Sequence, residues 1–155
     1  MKPDWLLIAE GEVGQHEERE GENSHILEYH STTSLRATTD EVPWCSSFVN
    51  WCLIKAGFKG TNSAAAKSWL KWGVSLATPT EGCICIIKKK VAGEDSSTGS
   101  SSGYHVGFWL DEDADILTML GGNQSDQVKV SRFKKASYNV LGYKVPRAPI
   151  QKEAA

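Results

Sequence analysis

Apolar positions change their period about halfway along the chain. In the first half they recur at helical spacing. Pro3 followed by Trp5, Leu6, Ile8 and Ala9, with Gly11 and Gly14 as interruptions, predicts a short opening helix. A charged stretch, GQHEEREGENS, leads into HILEYH, which reads as a second short helix capped by Asn23 or Ser24. In TTDEVPWCSSFVNWCLIKAGFKG, Phe48, Val49, Cys52 and Lys55 keep helical spacing from Cys45. Pro43 suits the start of that helix and Gly57 a left-handed stop. NSAAAKSWLKWG predicts a further helix, capped by Asn62 or Ser63 and ended by Gly73.

After Pro79 the pattern becomes short β runs divided by turn residues: CICII at 83–87, HVGFWL at 105–110, ILTML at 116–120, VKV at 128–130 and NVLGYKV at 139–145. Helices followed by a mostly antiparallel sheet is the α+β pattern. The run 93–103, GEDSSTGSSSG, has the composition of a flexible loop, either a rim that gates substrate or a tolerated surface insertion. No internal repeat is visible, so 1–150 reads as one domain and 151–155 as a tail.

Composition narrows the function classes. A chain of 155 residues with 40% apolar content supports one core. Seventeen Lys and Arg against nineteen Asp and Glu leave a net charge of −2, with no excess to attract a phosphate backbone. Nucleic acid is therefore disfavoured, and small-molecule, peptide or glycan substrates remain. The apolar run Trp5 to Ala9 is too short for a signal-peptide core or a membrane span. The chain accordingly reads as cytosolic when made, where four Cys mean free thiols or a metal site before they mean disulfides.

Cys45 has the placement an attacking thiol needs. It falls in the first turn of its helix, where unpaired amides and the macrodipole favour thiolate, and on the face expected to pack on the sheet. The alternative is a small buried hydrophobe. His105 starts a strand directly after a loop, and strand alternation puts Gly107 on its face, which leaves room for a general base beside the sulfur. If HVGFWL and ILTMLGGNQ form a hairpin across DEDAD, Leu110 opposite Ile116 sets His105 opposite Gly121, with Asn123 one diagonal step away. A two-residue shift keeps Asn123 on that face. Asn123 can then orient the imidazole, or it can be a turn residue of GGNQSD.

These residues carry a resemblance. From about Trp5 to Pro146 the chain resembles the papain-like cysteine peptidoglycan hydrolases, the CHAP and NlpC-type amidase/peptidase superfamily, and within it a small phage endolysin-like group. The resemblance rests on IAEGEVGQHEEREG, on DEVPWCSSFVNWCLIKAGFKGTNSAAAKSWLKWG, on YHVGFWL and on LGGNQSDQVKV; PWCSSFVNW and GGNQSD are its specific parts. It implies a papain-like α+β fold, with Cys45 as nucleophile, His105 as base and Asn123 as orienting residue. It also implies acyl transfer on an amide of the bacterial stem peptide, without metal or organic cofactor. Two departures stand out: Gly121 and Gly122 lie where such domains often carry a Glu, and Cys83 follows Gly82 where relatives often carry Asp.

The remaining candidates have weaker patterns. Cys83 and Cys85 share a strand face and can ligate zinc with Cys45 or His105, but without a second ligand pair they read, like Cys52, as packing. Trp44, Trp69 and Trp72 can line a substrate groove or fill the core; Trp44, beside the nucleophile, is the groove candidate. Asp40 and Glu41 suit a substrate amine, a calcium ion or a solvated helix start, and Glu17 is similar to a Glu of the family pattern. His16, His25 and His30 have no metal-ligand spacing. The sequence thus points to a monomeric endolysin-like hydrolase, made in the host cytoplasm and reaching the wall after membrane permeabilisation. An interbacterial effector amidase and a non-catalytic wall-binding protein with a buried Cys45 are the alternatives.

Overall fold

A computed structural model describes residues 2–15, 26, 28–29, 44–91, 98, 102–124 and 127–147. Helix α1 (Asp4–Gly11) and helix α2 (Cys45–Lys55) precede a 3-10 helix (Ala66–Lys71). Strands β1 (Val74–Leu76), β2 (Ile84–Lys89), β3 (Tyr104–Glu112), β4 (Ile116–Gln124), β5 (Gln127–Lys134) and β6 (Tyr138–Val145) follow. They form one sheet in the order β1-β6-β2-β3-β4-β5, antiparallel at every pairing. The α+β expectation holds at this level. Most of the loop 93–103 and the tail 151–155 lie outside the described residues.

Local rules explain most boundaries. Helix α2 ends as its glycine predicts. Gly57 takes φ +89°, its N–H donates to Ile54 O, and the Phe58 N–H reaches back to Leu53 O, the paired bonds of a Schellman stop. The segment after it is shorter than its pattern suggests. Asn62 adopts φ +57° and the Ser63 hydroxyl accepts from the Ala65 amide, so the chain turns before it coils and only a 3-10 helix forms. Strand β1 has no counterpart in the sequence reading. Its three residues are an edge paired only with β6, too short for alternation to reveal.

The sheet separates two cores. On one face Ile84, Ile86, Val106, Phe108, Leu120 and Val128 meet Leu6, Ala9, Phe48, Cys52 and Leu53 of the two helices. On the other, Cys85, Ile87, Leu117, Met119 and Phe133 cluster with Tyr138, Val140 and Tyr143. Phe133 of β5 and Tyr138 of β6 lie 5.2 Å apart between ring centroids, although three strands stand between β5 and β6 in the sheet. The sheet therefore curls around the second core, as strong twist allows. Glu112 ties this side together, accepting from Trp109 Nε1 at 3.0 Å, Tyr143 Oη at 2.7 Å and Lys135 Nζ.

The β3–β4 hairpin pairs Phe108 with Leu120 and Trp109 with Met119, two residues away from the expected register. Asp113 sets the difference. Its Oδ1 accepts from the amides of Asp115 and Ile116, both at 2.8 Å, so the turn is tighter than DEDAD and the strand continues through Glu112 after a bulge beyond Trp109. Up to Trp109 the shift is even, so the β3 side chains from His105 to Trp109 keep their expected faces; beyond the bulge it is odd.

Helix α2 sits close on β4 because Gly122 has no side chain. A Cβ there would lie 2.7 Å from the Trp44 ring and 2.8 Å from Phe48 Cβ. Gly122→Ala should therefore destabilise the protein by ~1–3 kcal/mol in urea denaturation, while Gly11→Ala, with open space around it, should be neutral or mildly stabilising. Equal midpoints for the two variants would show that α2 does not depend on this close approach.

Candidate functional site

Trp44, with φ −127°, is the residue before the first turn of α2, and its side chain makes no capping hydrogen bond to that turn. The first-turn amides, which have no acceptor within the helix, thus lie where Cys45 stands. The Cys45 sulfur lies against three of the protein's amides, those of Val106, Ser46 and Cys45 itself. Burial pushes its pKa above the ordinary thiol value, and the three amides pull against that. The net direction is upward, so the helix start by itself does not make Cys45 the thiolate that its position suggests.

Val106 follows His105 on β3, so the thiol reaches the strand one residue beyond the imidazole. His105 is fully buried. Its Nε2 lies 3.0 Å from Gln124 Oε1, and its ring sits 5.7 Å from that of Phe133. The orientation of the Gln124 amide follows from its other contacts. Its Nε2 donates to Lys129 O at 2.8 Å and Met119 O at 3.3 Å, which a flipped amide would turn into two oxygen–oxygen contacts. Oε1 can only accept, so His105 Nε2 carries a proton, and in the neutral imidazole the lone pair lies on Nδ1, the nitrogen nearer the main chain.

Among the described residues the ring of His105 thus bonds to Gln124 in the place expected for Asn123, which corrects the expected constellation. The reason is a bulge. Gly121 pairs with Lys129 and Gln124 with Gln127, so one extra residue is accommodated between them on β4. Asn123 takes φ +58° within it. The extra residue shifts the alternation by one and carries Gln124 onto the face of His105. Asn123 Oδ1 is buried with no hydrogen-bond partner among the described residues. Gly121 is as necessary as the bulge, because a Cβ at that position would lie 2.5 Å from Gln124 Oε1 and 3.4 Å from His105 Nε2.

Two further expectations change. The room expected beside Gly107 is occupied by the Met119 methyl and the Leu120 carbonyl, each 3.0 Å from where a Cβ would stand. Trp44 does not line a groove. It is fully buried, stacked on Tyr29 at 5.9 Å and pressed on Gly122. Glu17, Asp40 and Glu41, and with them Pro43, His16, His25 and His30, lie outside the described residues. Cys52, Cys83 and Cys85 are buried, and among the described residues no cluster of His, Cys, Asp and Glu is suited to a metal.

A polar lock around the first turns of α2 has no counterpart in the sequence reading. Ser46 Oγ donates to Ser63 O at 2.6 Å and accepts from Trp69 Nε1 at 2.8 Å. Asn50 Nδ2 donates to Ser46 O and to Ser63 O, both at 3.1 Å, while its Oδ1 accepts from the Asn62 amide at 3.1 Å. These bonds fasten the 60–63 loop and the 3-10 helix to α2. Polar residues at buried positions in PWCSSFVNW were the available signal, because such groups must find partners.

No family model, no curated protein and no solved structure matches this chain. The site's meaning therefore rests on its own geometry and chemistry.

The thiols give a pH prediction with a definite sign. Burial raises the pKa of Cys45, Cys52, Cys83 and Cys85 in the folded protein, whereas in the unfolded chain they ionise near about 8.5. The folded state thus holds protons that the unfolded state releases. The thiol contribution to stability is complete below that value and is lost as pH rises through the folded-state values. The urea midpoint should fall between pH 7.5 and pH 10, and less so in a Cys52→Ala, Cys85→Ala protein. A pH-independent midpoint would contradict the burial of these thiols.

Proposed function

We propose that this chain is a cysteine amidohydrolase of papain-like type that cleaves an amide bond in bacterial peptidoglycan. The single observation that carries the catalytic part is the pinned His105–Gln124 pair, which leaves a basic Nδ1 on the residue preceding the amide that meets the Cys45 sulfur. The substrate part is supported by the resemblance of PWCSSFVNW and GGNQSD to the wall hydrolases. The phage setting, with synthesis in the host cytoplasm and access to the wall after membrane permeabilisation, belongs to the same proposal.

In this reading His105 Nδ1 takes the thiol proton as the Cys45 sulfur adds to the scissile carbonyl carbon, a transfer that the substrate complex must complete because the two groups pack on opposite faces of β3 in the unliganded protein. The oxygen, now carrying the negative charge, is held by amides at the start of α2. Collapse expels the amine, which takes the proton from Nδ1 and leaves a thioester on Cys45. A water molecule then gives a proton to Nδ1 and its hydroxide adds to the thioester, which releases the acid and restores the thiol. Gln124 keeps Nε2–H in place throughout, so the imidazolium formed in each half-reaction is stabilised by an acceptor already oriented. Burial of Cys45 acts against ionisation in the unliganded protein, so proton transfer to His105 accompanies attack and does not precede it.

That same burial favours a second reading, a wall-binding protein in which Cys45 only fills space. Clearing of a peptidoglycan suspension separates the two. Cys45→Ala and His105→Ala should each lower the rate about a thousandfold or more. Gln124→Ala should lower it about tenfold or more, and Asn123→Gly should change it far less. A Cys45→Ala protein that clears the suspension as fast as the unmodified chain would overturn the catalytic reading. An Asn123→Gly loss larger than that of Gln124→Ala would overturn the role given to Gln124.

A further inference from the structure

A groove of about 410 Å³ opens where the 60–63 loop, the end of the 3-10 helix and the end of β6 meet. Three of its lining side chains are cations, Lys59, Lys71 and Arg147, and Trp72 and Pro146 supply its ring surfaces. Among the described residues no carboxylate lines it. This is a local excess in a chain whose net charge is −2. Lys59 stands after α2, Lys71 ends the 3-10 helix and Arg147 follows β6, so only the fold gathers the three charges.

The groove is built from fixed parts. Trp72 Nε1 donates to Lys59 O at 3.1 Å, which holds the indole against the loop, and its ring meets Trp69 edge-on at 4.8 Å. Gly73 takes φ +66° and lies so close to β6 that a Cβ would come within 2.4 Å of Val145 O. Gly60 is equally confined, since a Cβ there would overlap Asn50 Oδ1. Gly60 also connects the groove to the polar lock on α2, because Asn50 is the residue that anchors the 60–63 loop.

We propose that this groove binds a short anionic saccharide, with a sugar face against Trp72 and its carboxylate or phosphate groups held by Lys59, Lys71 and Arg147. Three exposed cations around one indole favour a ring-bearing ligand with at least two negative charges. Arg147 can engage an acidic group through two parallel bonds, while the lysines act as point charges. Among the described residues the lining has no side-chain amide or hydroxyl to read a base edge, which favours a saccharide over a nucleotide. The remaining surface carries no net positive charge that would extend the track along a long polyanion. This site does not use Cys45 and does not depend on the hydrolase reading.

Binding to the full chain can be measured by calorimetry with four probes: trigalacturonate, neutral maltotriose, tripolyphosphate and 5′-AMP. Trigalacturonate should bind and maltotriose should not. Lys59→Gln with Arg147→Gln should weaken binding about tenfold or more, and Trp72→Ala should weaken it by a similar factor. Raising the salt from 50 to 500 mM should weaken it further. The Cys45→Ala protein should bind as the unmodified chain does, so a failed hydrolase reading leaves this result intact. The proposal is overturned if no anionic saccharide binds, or if the charge variants bind it unchanged. It is equally overturned if tripolyphosphate binds as tightly and Trp72→Ala has no effect, or if 5′-AMP binds as tightly as trigalacturonate. Unchanged urea midpoints in the variants exclude unfolding as the cause of a loss.

Discussion

The close approach of the start of α2 to the Gly121–Gln124 end of β4 is the constraint on which the site depends. Gly122 lets Trp44 and Phe48 rest on the strand backbone, and Gly121 leaves the space in which Gln124 meets His105. Asn123, in a left-handed conformation, supplies the extra residue that turns Gln124 to that face. Each residue of GGNQ thus has a separate mechanical role. Without Gly122 the start of the helix could not approach the sheet this closely, and without Gly121 and the bulge the imidazole would lose the acceptor that sets its tautomer.

The sheet contributes by having two buried faces. Val106 and Phe108 point toward the helices, whereas His105 shares the curled side with Phe133 and is pinned there by Gln124. Cys45 and His105 therefore pack on opposite faces of β3, the thiol in the helix-side core and the imidazole on the curled side, and neither stands in an open cleft. Water is largely excluded from both groups. That explains why Cys45 is pushed toward the neutral thiol even though it stands at a helix start.

Opposite demands meet in α2. Its apolar residues face the sheet, yet Ser46 and Asn50 are also buried and spend their hydrogen bonds on the 60–63 loop and Trp69. This lock carries order from the start of α2 to the 3-10 helix and on to Trp72, whose indole is held by Lys59 O. The start of the helix and the cationic groove are consequently parts of one hydrogen-bonded and packed frame. Trp44 and Trp72 exchange the places that their sequence positions suggest: the tryptophan beside Cys45 is core, and the distant one lines a groove.

Periodicity, glycines and prolines determined the α+β class, the helix beginning at Cys45 with its Gly57 stop, five of the six strands and the faces of the β3 side chains from His105 to Trp109. All of these follow from local backbone rules that act within a few residues. Tertiary structure decided the rest. The hairpin register followed from the Asp113 side chain, and the partner of His105 from a bulge whose single extra residue reverses alternation without altering composition. The close packing of Trp44 came from Gly122 on another element, and the gathering of Lys59, Lys71 and Arg147 from the return of β6 to lie between β1 and β2. Each of these depends on contacts between residues far apart in the chain, and a pattern of apolar and polar positions carries no record of which distant residue will arrive.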